Sequence, residues 1–120
     1  MIIGLGIDSV EIERVAQKCS APGSRFAEKM FTELERSRAA RKIHAPYEHL
    51  AACFAAREAF FKATQVWYRR AEVSVAQKPS GEPYYVLSER VRELLGTRRV
   101  HLSLTHDKMC AQAVCICEDD

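Results

Sequence analysis

The strongest constraint on the fold is a long apolar helix predicted over residues 46–65. The segment begins with Pro46, contains many alanines and has no internal glycine, a pattern that favours an α-helix. Apolar side chains lie almost all round it, which is typical of a helix buried in a protein interior. With 120 residues the chain has room for one core, so we expect a single domain over 1–120 built around this helix.

The remaining segments predict a compact α+β domain in which a mainly antiparallel sheet packs on the central helix. Runs rich in β-branched and apolar residues predict strands over 2–10, 72–76, 83–87, 101–105 and 109–117. Shorter helices are expected from about 11 to 18, over 25–30, after a capping box formed by Thr32 and Glu35, and from Ser88 to Gly96.

Charge and cysteine content argue against several classes of protein. The 18 basic and 16 acidic side chains leave a net charge of only +2, which by itself indicates neither a nucleic-acid nor a membrane partner. The first residues lack the pattern of a secretory signal and no apolar run reaches transmembrane length, so we expect a cytoplasmic protein. The five cysteines include no CxxC pair, and we interpret them as reduced core residues.

The first strand combines two glycines with an acidic side chain. Alternation places Gly4, Gly6 and Asp8 on one face, where the glycines invite close approach by another group. Gly4 and Gly6 do not form a dinucleotide-binding loop, because the third glycine of that motif is absent. Asp8 has two interpretations, as a functional carboxylate or as the N-cap of the following helix.

Charged side chains also interrupt the central helix. Glu58 and Lys62 lie one turn apart on a stripe shared with Ala51 and Ala55, so small neighbours leave space beside them. The alternative is an ordinary i,i+4 ion pair on a solvated edge. His106 lies near the tip of the last predicted hairpin, where a histidine is most often simply solvated.

Two motifs resemble one enzyme family over essentially the whole chain. They are GLGIDSVEIER at 4–14 and FAAREAFFKA at 54–63, followed in the expected order by Gly81-Glu82-Pro83 and SLTHD at 103–107. Phe31-Thr32 with Glu35 also falls in place. The chain is thereby similar to the holo-[acyl-carrier-protein] synthases, the small bacterial class of 4'-phosphopantetheinyl transferases.

The resemblance implies a reaction and a set of site residues. The phosphopantetheine arm of coenzyme A would pass to a serine of apo acyl carrier protein in a Mg²⁺-dependent step of fatty acid biosynthesis, releasing 3',5'-ADP. The resemblance also implies a homotrimer with coenzyme bound between protomers. The implied roles are metal binding by Asp8 and Glu58, catalysis by these two with Lys62 and His106, coenzyme binding by Lys62, Pro83, Ser103 and His106, and carrier-protein docking by Arg14 and Arg25.

The chain departs from the family pattern at two places. Arg57 stands where the family commonly has lysine, and Thr64-Gln65 replaces an expected glycine. Arg57→Lys would be mild if charge alone matters, and costly if the fork of the guanidinium makes a bidentate phosphate or carboxylate contact; we expect the mild outcome. We expect Gln65→Gly to be tolerated if the loop already has an unstrained conformation.

Two other functions remain open from the residues. One is an RNA-binding module that uses the basic side chains as a phosphate footprint, although no aromatic residues interleave with them. The other is a metal-dependent phosphoester hydrolase built from Asp8, Glu58 and His106. The basic side chains of the first alternative are Arg36, Arg38, Arg41, Lys42, Arg69, Arg70, Arg98 and Arg99.

Overall fold

The computed structural model describes the backbone of residues 1–120 and every side chain except that of Arg70, so the footprint role suggested for Arg70 lies outside the described side chains. A short 3-10 turn spans Arg70–Glu72. The remaining elements are β1 Ile2–Glu11, α1 Ile12–Ser20, α2 Phe26–Met30, α3 Glu33–Arg41, α4 Pro46–Thr64, β2 Val73–Gln77, β3 Pro83–Leu87, α5 Glu89–Leu95, β4 Arg99–His106 and β5 Cys110–Glu118.

The strands form two antiparallel sheets around the central helix. The larger sheet has the order β1-β5-β4 and the smaller one pairs β2 with β3. Helix α4 packs against β1 and β5, and α1 and α3 pack on α4. The predicted α+β fold, with antiparallel strands on a long central helix, is confirmed.

The closeness of α4 to β1 depends on the two glycines of the strand. A Cβ added at Gly4 would lie 1.8 Å from the carbonyl oxygen of Ala63, and one at Gly6 would lie 2.0 Å from that of Ala59. No side chain fits at such a distance, so only glycine lets the helix backbone rest directly on the strand. The predicted close approach on this face is confirmed.

The opposite face of β1 has no cover within the chain. Ile3, Leu5 and Ile7 are 52%, 64% and 66% exposed. In the sheet Leu5 pairs with Ile116 and Ile7 pairs with Val114 of β5, so the apolar side chains form a continuous strip. A strip of this kind on a small protein marks an interaction surface.

Local signals set the ends of the helices as expected. The capping box at α3 is present, because the Glu35 amide donates to Thr32 Oγ1 at 3.2 Å and the Thr32 amide donates to Glu35 Oε1 at 3.0 Å. Ser88 Oγ caps α5 by accepting from the amide of Val91 at 3.2 Å. Helix α4 ends at Thr64, and its C-cap residue Gln65 has a left-handed φ of 59°.

The five thiols are free. Cys53, Cys115 and Cys117 are buried, as predicted for core residues, whereas Cys19 and Cys110 are half-buried. Burial raises the pKa of the Cys53 thiol well above its usual range, so this side chain acts as a small apolar group. None of the described helices combines the length and apolarity that crossing a bilayer requires.

Candidate active site

Asp8 and Glu58 line the same cavity, which we call the carboxylate cleft. Its volume is about 540 Å³, and it lies between the end of β1, helices α1 and α2, and the middle of α4. The glycine face of β1 brings the strand against α4, so both carboxylates reach one space. Its wall also contains a third carboxylate, that of Glu11, together with basic and apolar side chains that include Arg14, Lys18, Phe26 and Phe54.

Lys62 lies beside Asp8. Its ammonium is 3.4 Å from Asp8 Oδ1 and donates to the carbonyl of Ile7 at 2.9 Å. The Asp8 side chain is 20% exposed and that of Lys62 is 52% exposed, so water reaches the pair. Lys62 therefore joins α4 to β1, and the i,i+4 ion pair with Glu58 that we considered is wrong.

The N-cap interpretation of Asp8 is also wrong. The N-cap residue of α1 is Glu11, and no side chain makes a capping hydrogen bond there. Asp8 instead lies four residues before Ile12, the first residue of the helix, on the strand face that packs on α4. Its carboxylate is held by Lys62 and faces the carboxylate cleft.

A second, narrower cleft of about 230 Å³ lies on the other side of Glu58. We call it the narrow cleft; Met30, Phe54 and Glu58 line both cavities, and Arg57 and Tyr68 line this one. Burial raises the pKa of Tyr68 to about 12, and the nearby Glu58 carboxylate adds to the shift. Tyr68 therefore stays a neutral phenol at physiological pH, with its hydroxyl donating to the Arg57 carbonyl at 2.9 Å.

Arg57 points into the interior beneath the clefts. It is only 5% exposed, and its Nη1 donates to both carboxylate oxygens of Glu35, which is fully buried. Its Nη2 donates to the carbonyl of Met30. This buried carboxylate contact favours the costly outcome of Arg57→Lys over the mild one that we expected.

His106 and Pro83 lie in another cavity of about 540 Å³, which we call the histidine cleft. His106 Nδ1 is 3.7 Å from Glu48 Oε2, and the imidazole is half-exposed. Burial lowers the pKa of His49 in the same cleft, and Lys42 lowers it further, so His49 is neutral at pH 7. The positive charges of this cleft come from Arg41 and Lys42.

Ser103 occupies neither cleft. It is exposed on β4 and pairs with Val114 of β5, which places it on the same outer sheet face as Ile7. Within one chain the predicted coenzyme residues thus lie in three regions, with Lys62 beside the carboxylate cleft, Pro83 and His106 in the histidine cleft, and Ser103 on the outer face.

The predicted docking residues differ in their surroundings. Arg14 lies on α1 and lines the carboxylate cleft. Arg25 stands at the N-cap of α2, is largely exposed, and pairs with Glu28 at 3.1 Å. Sequence reasoning missed Lys18, which lies one turn after Arg14 in the same wall with its ammonium 5.4 Å from the Phe26 ring centroid. The i,i+4 spacing from Arg14 on a predicted helix is the signal that could have identified Lys18.

The loop after α4 carries an exposed aromatic side chain. Trp67 is 76% exposed, and its ring stacks at a tilt on Phe61 with centroids 4.4 Å apart. The side chain of Gln65 donates to the carbonyls of Lys62 and Phe61 at 3.2 and 3.4 Å. The segment that departs from the family pattern is therefore ordered by contacts to the last turn of α4.

The two carboxylates suit Mg²⁺. This ion prefers oxygen ligands and commonly binds one or two carboxylates together with water and substrate phosphates. Among the described side chains, no group of three or more His, Cys, Asp or Glu is arranged to hold a metal ion. Asp8 and Glu58 thus match a site that a diphosphate and water complete, rather than a closed structural metal site.

Comparison with known proteins agrees with these motifs. A family model described as the 4'-phosphopantetheinyl transferase superfamily matches residues 4–116. The holo-[acyl-carrier-protein] synthase of Sphingopyxis alaskensis is 38% identical over an alignment 129 positions long, which covers 98% of this chain and 97% of the relative.

Solved structures of similar sequence share the fold. The ACPS–CoA complex of Chronobacterium ammoniagenes has a TM-score of 0.84 at 32% identity, covering 98% of this chain and 97% of that one. A holo-(acyl-carrier-protein) synthase from Bacillus anthracis in complex with CoA (3',5'-ADP) has a TM-score of 0.82 at 30% identity, covering 100% and 99%. The chain therefore belongs to the 4'-phosphopantetheinyl transferase superfamily, within the holo-[acyl-carrier-protein] synthases.

Proposed function

We propose that this protein transfers the 4'-phosphopantetheine arm of coenzyme A to a serine of apo acyl carrier protein, in the presence of Mg²⁺, and releases 3',5'-ADP. The observation that carries the proposal is the meeting of two family motifs in one cleft. Asp8 from the first motif and Glu58 from the second line it together, with Lys62 paired to Asp8.

The chemistry follows from these side chains. Bound Mg²⁺ would supply neutralisation of charge on the diphosphate, held by Asp8 and Glu58. Lys62, half-exposed beside Asp8, is placed to exchange this partner for a phosphate oxygen. Such transfers depend mainly on positioning and on charge stabilisation, which is what this arrangement of groups offers.

In the transfer, the serine oxygen forms a bond to the β-phosphorus while the bond from that phosphorus to the bridging oxygen breaks. 3',5'-ADP leaves with the negative charge, and the serine proton passes to a water held by the carboxylates. Tyr68 does not serve as the base, because a phenol with a pKa of about 12 stays protonated. His106 is the weaker candidate for this role.

The carrier protein would meet the basic side of the carboxylate cleft. Arg14 and Lys18 lie one turn apart on α1, and Arg25 is exposed at the start of α2. An acidic partner is attracted to such a rim, and the charges there govern encounter more than chemistry. We assign these three side chains to docking.

We further propose a homotrimer in which coenzyme binds between protomers. Two observations support it: the predicted coenzyme residues lie in separate regions of one chain, and the strip of Ile3, Leu5 and Ile7 is exposed on the sheet face that also carries Ser103. Assembly through this sheet face covers the strip and brings regions of neighbouring chains together. We also propose that the protein is cytoplasmic and that it acts in fatty acid biosynthesis.

Intact mass spectrometry of apo carrier protein tests the activity. Incubation with this protein, coenzyme A and Mg²⁺ is expected to add the mass of one phosphopantetheine, and a chelator is expected to prevent the gain. Release of free phosphopantetheine without any protein acceptor would favour the hydrolase. Tight RNA binding that weakens steeply with salt, together with indifference to coenzyme A, would favour the RNA-binding module.

A further inference from the structure

A buried ion pair lies directly behind Glu58. Arg57 and Glu35 are 5% and 0% exposed, and the guanidinium also lies 5.5 Å from the centroid of the Phe31 ring. The Glu35 carboxylate accepts from the amides of Thr32 and Val75 as well, at 3.0 and 2.9 Å. The carboxylate and the guanidinium thus both have hydrogen-bond partners beyond each other, as buried charges require.

The pair connects to both clefts through Met30. This residue ends α2, and its carbonyl accepts from Arg57 Nη2. Its side chain lines the carboxylate cleft and the narrow cleft. The position of this shared wall is therefore set by the guanidinium of Arg57.

Residue 57 is held at two points. The side chain is fixed by Glu35 and Met30, and the carbonyl accepts from the hydroxyl of Tyr68. The next residue in the helix is Glu58, so the turn that presents the carboxylate is braced from both sides. A shift of this turn moves Glu58 relative to Asp8 on β1.

The charge of the guanidinium also matters to Glu58. Arg57 and Glu58 line the narrow cleft together, where a free cation would compete for the carboxylate. The Glu35 carboxylate neutralises the charge of Arg57 in the protein interior. Lys29 also lines this cleft, but among the described side chains no cation forms an ion pair with Glu58, so its carboxylate is open to a cation from solution.

We propose that Arg57 is a positioning residue for the transfer: paired with Glu35, it fixes the Met30 wall and the turn that carries Glu58, and keeps its own charge away from that carboxylate. The inference rests on the proposed transferase activity. Lysine cannot replace it, because a single ammonium cannot reach both Glu35 and the Met30 carbonyl with the geometry of a planar fork.

Steady-state kinetics of Arg57→Lys test the proposal. We expect kcat to fall at least about tenfold, because small displacements of reacting groups cost that much, while KM for coenzyme A changes less than about threefold. Arg98→Lys is the matched control. Arg98 also donates to backbone carbonyls, those of Thr64, Leu94 and Leu95, but lines neither cleft. Its loss should lower the thermal midpoint and leave kcat unchanged.

A double variant separates positioning from stability. Glu35→Gln with Arg57→Met removes both charges, so no buried charge is left unpaired, although one of the two neighbouring amides and the Met30 carbonyl lose a partner. We expect a lowered thermal midpoint with the fold intact at the assay temperature, checked by circular dichroism, and a kcat as low as that of Arg57→Lys.

Three results would overturn the inference: a kcat for Arg57→Lys within about twofold of the parent, an equal loss of kcat in Arg98→Lys, or full turnover by the double variant. The parent is assayed in parallel. An inactive parent overturns the proposed function itself, whereas an active parent with an active double variant overturns only the role of Arg57.

Discussion

The two faces of β1 are specified in different ways. On one face Gly4 and Gly6 let α4 lie against the backbone, so this face is packed within the chain. On the other face Ile3, Leu5 and Ile7 remain exposed, and no packing among the described residues accounts for their apolar character. One strand thus has an inner face, which packs on α4, and an outer face, which is open to a partner. The candidate site lies at the end of the inner face.

The largest expected effect is on turnover, at the site where the inner face ends. Asp8→Asn or Glu58→Gln should each lower kcat about a hundredfold or more, because each removes a carboxylate that would hold the Mg²⁺ neutralising the diphosphate. Asp8→Asn also removes the pair with Lys62, but a pair this exposed contributes less than about 1 kcal/mol. Chemical unfolding should therefore show nearly parental stability. Near-normal, Mg²⁺-responsive transfer by either variant contradicts a shared metal site.

Gly6→Ala tests the inner face itself. The added Cβ would lie 2.0 Å from the Ala59 carbonyl oxygen, so α4 must move away from the strand. We expect a loss of about 3 kcal/mol or more in the free energy of unfolding, measured with urea. Gly81→Ala is the control: nothing lies within 4 Å of its added Cβ, and its positive φ costs about 1 kcal/mol. Equal losses in both variants contradict tight packing at Gly6.

Leu5→Glu tests the outer face. The side chain is 64% exposed within the chain, so the fold of a protomer should survive the change. Burying the new charge in an interface is costly, so light scattering should show monomers where the parent is a trimer. Transfer activity should fall with assembly if coenzyme binds between protomers. A parent that is a fully active monomer at assay concentration contradicts the trimer.

Arg14→Glu tests the rim beyond the inner face. We expect roughly tenfold weaker use of carrier protein, because a reversed rim charge slows encounter with an acidic partner. Coenzyme A binding, measured by calorimetry, should stay nearly unchanged. Equal losses for the two substrates would remove Arg14 from the docking surface.

Gln65→Gly should have the smallest effect. Gln65 is the C-cap residue of α4, and its φ of 59° is a conformation that glycine adopts without strain. The change relieves that strain but loses the side-chain bonds to Lys62 and Phe61, so we expect a net change within about 1 kcal/mol. Activity should stay within about twofold. A collapse of activity would show that the Gln65 side chain contacts substrate.

Sequence patterns predicted the parts of the fold that depend on local rules. The capping box at Thr32, the Ser88 cap and the glycine face of β1 follow from spacing over a few residues, and the structure confirms all three. The meeting of Asp8 and Glu58 in one cleft was predicted too, but it rested on the family motifs.

What the sequence left open depends on tertiary packing. The partner of Lys62 lies more than fifty positions away on another element, so helical spacing suggested Glu58 instead of Asp8. The role of Arg57 depends on Glu35 and on the Met30 carbonyl, neither of which any local pattern connects with it. Tyr68 carried no signal at all, because its contact with α4 arises from the course of the loop.

Trp67 gives the protein an optical reporter of its own. It is the sole tryptophan of the sequence, it is 76% exposed, and it stacks on Phe61, the residue before Lys62. Indole emission depends on the polarity around the ring, so a ligand that reaches the end of α4 shifts its wavelength. If coenzyme contacts Lys62 as proposed, unlabelled coenzyme can be titrated by fluorescence, and the same signal follows each variant without a modified substrate.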